Sequence, residues 1–450
     1  MRVFSMRPFW YLRFCAFSSL QQRWSRRFTP AGFLILGGLA GAALVGLDTS
    51  RTVAYQIFTL LLAVVIISAF GSLGFRPRLR IRRLLPRFCT AGEPVAYRLV
   101  VANDGRSSER GLVVMEDLAD PRPTLEEFLR AREPGEERRN WFDRRVGWYR
   151  WVWLVARNRR AVIPPCSVPL VPAHGEREVK VEFTPSGRGY VRFTAATVAR
   201  ADPLGLTNAL VEIPLAQTLL VLPRRYPVPR LPLPGSRRYQ PGGVALASAV
   251  GESDEFASVR DYRPGDPRRR IHWKSFARVG RPVVKEYQDE FFVRHALVLD
   301  TFTDDDGELF ETAVSVAASL ACAIESQDSL LDLMFVGPDA YVFTSGRGLG
   351  QTDKLLEVLA SVAPCHDRPF VTLQHAVLAR EAALSACLCV LLAWDEPRRD
   401  LVRQLRARGL STRAFVISPS VVGGGPDTLS LGEHVHRITV GRVREELARL

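Results

Sequence analysis

Two uncharged apolar runs stand out near the start of the chain, Phe28 to Leu47 (20 residues) and Thr52 to Phe75 (24 residues). As helices rising about 1.5 Å per residue, each is long enough to cross a hydrocarbon core of about 30 Å. Only Asp48-Thr49-Ser50-Arg51 separates them, which leaves room for a tight turn and nothing more. The pattern predicts a two-helix transmembrane hairpin over residues 28–75. After it the period changes to two. Pro94 to Ala102 alternates and ends in the turn sequence Asn103-Asp104-Gly105; Leu112–Met115, Val168–Pro172, Glu178–Phe183, Arg188–Phe193 and Thr194–Val198 add further short strands between Gly, Pro and Asp breaks. From Phe292 buried-type apolar strands (Ala296–Asp300, Leu331–Val336, Cys387–Ala393 with no charge, Ala414–Ile417) alternate with helical stretches (Leu309–Ile324, Asp353–Val362, Pro397–Arg408, Arg442–Leu450). Apolar strands between amphipathic helices predict a mostly parallel sheet covered on both faces.

The chain is therefore multidomain. Residues 1–27 form a basic N-terminal segment, 76–222 an antiparallel β-sandwich of immunoglobulin-like type, and 291–450 an α/β domain. Within the sandwich, residues 136–165 form an insertion. It holds Trp141, Trp148, Trp151 and Trp153, half of the eight tryptophans, interleaved with eight arginines. Three readings fit that composition: a β-hairpin or loop packing its Trp against the sandwich and the apolar helices, a membrane-surface anchor, or a single-stranded nucleic-acid contact.

Charge sharpens the topology. The net charge is +14, and residues 1–30 and 76–90 each hold six arginines and no acid. The rest of the chain is close to neutral, which argues against a large nucleic-acid face. Basic clusters outside both apolar runs place the two outer ends, and with them the N- and C-termini, in the cytoplasm. Seven cysteines are too few and odd in number for a disulfide scaffold. Cys365-His366 and Cys387-x-Cys389 read as core or loop residues.

A Pro-rich linker over 223–250 leads into residues 251–290, where Asp, His, Lys, Arg and Trp are packed together. Asp266, His272 and Lys274 are the components of an acid/base site, as in a hydrolase or nuclease-like enzyme. The competing reading is an ion-paired element. In it Arg260, Arg270 and Arg278 pair with Glu255, Asp261 and Asp266 beneath a Trp273 lid. No Gly-rich phosphate loop, Ser/His/Asp elbow or tandem metal ligands accompany the acid/base trio, so no catalytic residue is assigned. The face composed of Arg260, Tyr262, Asp266, Arg270, Trp273, Lys274 and Arg278 reads as a docking surface, because Trp and Arg dominate binding hot spots.

The run Glu255-Phe256, Arg260-Asp261-Tyr262-x-Pro264-Gly265-Asp266, Arg270-Ile271-His272-Trp273-Lys274, Ala277-Arg278 and Lys285-Glu286 resembles the signature of the bacterial domain-of-unknown-function 58 family. Arg188-Gly189-Tyr190 with Asp202-Pro203-Leu204-Gly205-Leu206 resembles that family's upstream stretch. The resemblance implies a protein of the bacterial cytoplasmic membrane with two spans and a von Willebrand factor A-like C-terminal domain. It also implies a protein-interaction or adaptor role in assembly or maturation of other proteins. A MoxR-type AAA+ ATPase is the implied partner, and a transglutaminase-like membrane protein a second. That fold often carries a divalent cation such as Mg²⁺. Here the matching positions are Asp300, Thr352 and Asp395, a degenerate set in which Phe302 replaces a ligand serine.

Overall fold

The computed structural model describes residues 7–45, 52–229, 231, 240–241, 256–266, 268–287, 291–292, 294–303, 307–325, 330–337, 340–345, 349–419 and 434–450. Most of the Pro-rich linker lies outside them. The chain divides into two compact units, Met1–Leu222 and Pro223–Leu450.

In the first unit, helices α1 (Arg7–Arg27), α2 (Pro30–Val45) and α3 (Thr52–Leu73) precede strands β1 (Leu79–Leu84), β2 (Phe88–Thr90), β3 (Val95–Asn103) and β4 (Leu112–Leu118). Helices α4 (Leu125–Arg130), α5 (Trp141–Val146) and α6 (Trp148–Asn158) follow. Strands β5 (Ala161–Val162), β6 (Cys166–Val168), β7 (Glu176–Pro185), β8 (Gly189–Ala201) and β9 (Asn208–Leu222) complete the unit. The strands form a four-stranded sheet in the order β1-β3-β7-β5 and a five-stranded sheet in the order β2-β9-β8-β4-β6. Alternation sends Tyr97, Leu99, Val101, Val181, Phe183, Val191 and Phe193 into one shared core. This is the β-sandwich that the period-two pattern predicts.

One polar centre lies inside it. Arg83 and Glu116 pair with side chains almost fully buried. Tyr97 donates to Glu116 Oε1 at 2.7 Å, and Arg83 donates to the Leu215 carbonyl at 3.0 Å. The second basic cluster is thus partly consumed by strand β1. Arg80 pairs with Asp104 at 2.6 Å and Arg82 lies 3.6 Å from Glu176. Those arginines do not form the free flank that the charge count implies.

Among the described residues one helix is long and apolar enough to cross a membrane, Val53–Leu73. The first apolar run forms the shorter α2, 16 described residues. Thr29 caps α2 by accepting from Gly32 N at 3.1 Å, with Pro30 at the first helical position. The same Thr29 hydroxyl donates to the Gly205 carbonyl at 2.6 Å, and Thr29 N donates to the Leu206 carbonyl at 3.0 Å. On α3, Ser68 Oγ lies 2.9 Å from Thr207 Oγ1. The β8–β9 turn is itself tied by Asp202, whose carboxylate accepts from Leu204, Leu206 and Thr207 amides.

The insertion corrects the sequence reading. Residues 141–158 are neither hairpin nor loop but the helices α5 and α6. Trp148, Trp151, Leu154 and Val155 recur at helical spacing, and α6 buries Arg150, Trp151 and Leu154. Its partner is the basic N-terminal segment, which folds as α1. Phe14 packs on Phe128, Trp148 and Trp151 with centroids 5.1–6.3 Å apart. Tyr11 donates to the Pro123 carbonyl at 3.1 Å. Trp141 remains 66% exposed, so the four tryptophans split between core and surface.

In the second unit β10 (Gln240–Pro241), β11 (Phe256–Asp261), α7 (Trp273–Val279), β12 (Val283–Tyr287) and β13 (Phe291–Phe292) lead to an α/β sheet. Its elements are β14 (Arg294–Leu299), α8 (Glu308–Glu325), β15 (Leu330–Val336), β16 (Ala340–Ser345), α9 (Leu349–Ser361), α10 (Val371–Leu378), β17 (Ala386–Leu391), α11 (Glu396–Ala407), β18 (Ser411–Ser418), β19 (Val435–Thr439) and α12 (Val443–Leu447). The six strands run in the order β16-β15-β14-β17-β18-β19, all parallel except β16 at one edge. β14 and β17 are buried along almost their whole length, as central strands of a sheet covered on both faces are.

Candidate functional site

Strands β11 and β12 form an antiparallel hairpin that carries α7 in its connection. Val283 and Val284 are buried beneath it, and Ile271 bridges to Val284. The Arg263-Pro264-Gly265-Asp266 turn opens the connection. Gly265 sits at φ +109°, where a side chain is strained, so glycine is needed there. The turn aims the Asp266 carboxylate back at Arg260, which donates from both terminal nitrogens at 2.7 and 2.8 Å. Arg263 N adds a third bond at 2.9 Å. The Arg260 guanidinium, and next the Arg263 amide, hold the Asp266 carboxyl down at about 2.

This geometry separates the acid/base trio. Asp266 bonds to Arg260 and Arg263, not to His272. His272 stands at the start of α7 with Nδ1 2.6 Å from Ser275 Oγ. Lys274 is exposed. Ser275 is a partner that the sequence reading missed, although three residues is the spacing of neighbours on a helix. The expected pairing is likewise only partly formed. Asp261 pairs with Arg281 at 3.2 Å rather than with a signature arginine. Arg278 makes no ion pair among the described residues; Glu255 lies outside them. Tyr262 is half-buried and donates its amide to the Pro282 carbonyl at 2.9 Å. Arg270 ends a short 3-10 turn, Arg268–Arg270. Trp273 is no lid. It is 64% exposed, stands edge-on to Phe276 at 6.0 Å, and shares α7 with the exposed Val279.

The second candidate lies at the carboxyl ends of β14 and β17, where open α/β sheets bind ligands. Asp300 follows β14 and is fully buried; Asp395 caps α11 just after β17. Between them is the Arg398 guanidinium. It donates Nε to Asp300 at 2.5 Å, Nη1 to Asp395 at 2.5 Å and Nη2 to the Phe302 carbonyl at 3.2 Å. It also lies 4.8 Å from the Phe370 ring centroid. Phe302 and Leu392 amides complete the Asp300 carboxylate at 3.0 Å each. Burial pulls the Arg398 pKa down, but the two carboxylates outweigh it and the group stays more firmly cationic than usual.

The donor set therefore does not fit a divalent cation. A fixed positive charge already stands between the two carboxylates, and Thr352 on α9 is hydrogen-bonded to neither. Among the described residues no group of three or more His, Cys, Asp or Glu is placed to hold a metal. Asp304, the other acid of the first loop, lies outside those residues. The sequence signal for Arg398 was its position one turn into the helix that Asp395 caps.

Fold and site together define a β-sandwich unit joined to a Rossmann-like α/β unit that opens with a charged hairpin. Residues 258–423 match the family model described as "Protein of unknown function DUF58". The uncharacterized protein YeaD of Bacillus subtilis (strain 168) is 30% identical over 180 residues, 40% of this chain and 44% of that protein. The chain thus matches less than half of that relative's length. The PapD-like domain 7 of human CEP192 is 17% identical, over 32% of this chain and 87% of that domain, with a TM-score of 0.18. The CARDB domain of PF1109 from Pyrococcus furiosus is 11% identical, over 32% and 94%, with a TM-score of 0.16. At such scores neither carries weight; the sandwich rests on its own strand pairing.

Proposed function

We propose that the chain is a membrane-anchored adaptor that presents the β11–α7–β12 face to a protein partner in the cytoplasm. The single observation that carries this reading is Trp273, a large aromatic left 64% exposed on a helix. The hairpin below that helix is fixed by the two-pronged Arg260–Asp266 pair. An exposed aromatic that shares its short helix with Lys274 and Arg278 has the composition of a binding hot spot. In this reading α2 and α3 are two spans with both outer ends cytoplasmic, and the α/β unit is of von Willebrand factor A type. The partner is a MoxR-type AAA+ ATPase; a transglutaminase-like membrane protein is a second candidate. The enzyme alternative is disfavoured by Asp266, whose bonds all go to Arg260 and Arg263.

The test compares Trp273→Ala and His272→Ala in the full chain, extracted in detergent at matched levels. Trp273→Ala is expected to cost about 2 kcal/mol or more of partner affinity, with complementation in cells falling in parallel. His272→Ala is expected to do neither. If His272→Ala abolishes complementation while the complex still assembles, the adaptor reading is wrong.

A further inference from the structure

A cavity of about 740 Å³ opens in the first unit between α1, α6 and strands β4 and β8. Five arginines line it (Arg26, Arg122, Arg159, Arg160 and Arg192) against two carboxylates, Glu116 and Asp120. The carboxylates are already engaged. Glu116 belongs to the buried Arg83–Tyr97 centre, and Asp120 is paired with Arg122. Arg26 is neutralised by Asp117 at 2.5 Å.

Arg159, Arg160 and Arg192 remain. Among the described residues none of the three has a carboxylate partner, and Arg160 reaches only the Arg188 carbonyl. The backbone brings them to one corner. Ser186 N donates to the Arg160 carbonyl at 2.8 Å and Ser186 Oγ to the Arg159 carbonyl at 2.9 Å, which pins both to the β7–β8 turn. On β8, Tyr190 and Arg192 are two residues apart and share the exposed face. Three guanidinium groups and a phenol hydroxyl thus border one recess with no anion to balance them.

Like charges held together work against folding unless something offsets them. Guanidinium forks match phosphate oxygens in pairs, and the volume is that of a small-ligand site. We propose that this cavity binds a phosphoryl-bearing anion. Two sources share the chemistry, a lipid headgroup and a soluble phosphorylated compound. The inference stands on the first unit alone and is independent of the docking role given to the hairpin of the second.

The experiment uses the full chain in neutral detergent at about 50 mM salt, where surface charges are weakly screened. Inorganic pyrophosphate is titrated by calorimetry, and short-chain phosphatidylglycerol and phosphatidylcholine by native mass spectrometry. The Arg159→Gln/Arg160→Gln/Arg192→Gln variant is run beside the wild type, with Arg98→Gln on the four-stranded sheet as a control for loss of an arginine outside the cavity. All three lining arginines are exposed, so the variant is expected to melt like the wild type. Expected is saturable binding of at least one anion, weakened about tenfold or more in the triple variant and unchanged in Arg98→Gln. Phosphatidylglycerol without phosphatidylcholine identifies the lipid source; pyrophosphate alone identifies the soluble one. Failure of both anions to bind, or equal binding by the triple variant, overturns the proposal.

Discussion

The second unit contains two arginine–carboxylate centres built from the same chemistry and put to opposite ends. Around Arg398 the side chains are 9% exposed on the arginine and 0% on Asp300. Around Arg260 they are 34% exposed on the arginine and 17% on Asp266. The first joins two central strands and a helix, so its charges are out of water and depend on each other. The second braces a two-stranded hairpin at the surface, where water shares the load and an aromatic stands free beside it. Burial, not residue type, separates the centre that holds the sheet together from the one that presents a face.

The sharpest way to break this comparison is Arg398→Ala. It strands the buried Asp300 charge and is expected to destabilise the α/β unit by about 3–5 kcal/mol, read by hydrogen exchange in β14 and β17. Asp300→Asn is expected to cost a comparable amount, and the double change less than the sum of the two. Additive losses would mean that the pair is not a unit. Chelators and added Mg²⁺ are expected to leave the wild-type melting curve unchanged.

Acid separates the centres next. His295 on β14 is held down at about 4 by burial, which favours its neutral form. Between about pH 6.5 and 4 the unfolded chain binds the proton and the folded one does not, so stability falls as pH falls. At about 1.4 kcal/mol per pH unit the loss reaches roughly 3 kcal/mol. Asp266 acts in the same direction, but over a lower pH window. Its lowered carboxyl contributes stability above the ordinary carboxylate range, and that is lost only as pH falls through about 2. At pH 3 hydrogen exchange is expected to show β14 loosened and the hairpin turn still protected. The reverse order would refute the assignment.

Smaller still is Asp266→Asn. Faster exchange at the Arg263 amide and the β11–β12 ladder is expected, without a shift of the main unfolding transition. The smallest effect belongs to Trp273→Ala, within about 0.5 kcal/mol of the wild type by denaturant unfolding, because its ring is already in water. A larger loss would make Trp273 a packing residue and remove the ground for a docking face.

These centres also mark how far the sequence could be read. Alternation predicted the sandwich because Tyr97, Leu99 and Val101 face one core across a regular pleat. The central strands of the second unit were legible as apolar runs. Helix α6 was not, because the arginines between its tryptophans masked a helical stripe, and the buried Arg150 looks like a surface residue until Glu136 is placed beside it. Helix α1 was read as a charge flank because its partner residues, Phe128 and Trp151, lie more than 100 positions away. Likewise Asp300 and Asp395 were legible as a pair at one rim, but Arg398 as their cation needed the turn of α11 that swings it inward. The Gly265 turn was legible from Pro-Gly alone; which carboxylate Arg260 would choose was not.

The Thr29–Gly205 bond, the Ser68–Thr207 contact and the absence of a side chain on Gly32 act together as a stiff joint. A methyl at Gly32 would run into the Leu206 carbonyl oxygen, so the first turn of α2 lies flush against the β8–β9 turn. The apolar helices are not a flexible tether from which the sandwich swings. A tilt of these helices is therefore expected to carry the β8–β9 turn with it, as a bracket moves with the beam bolted to it.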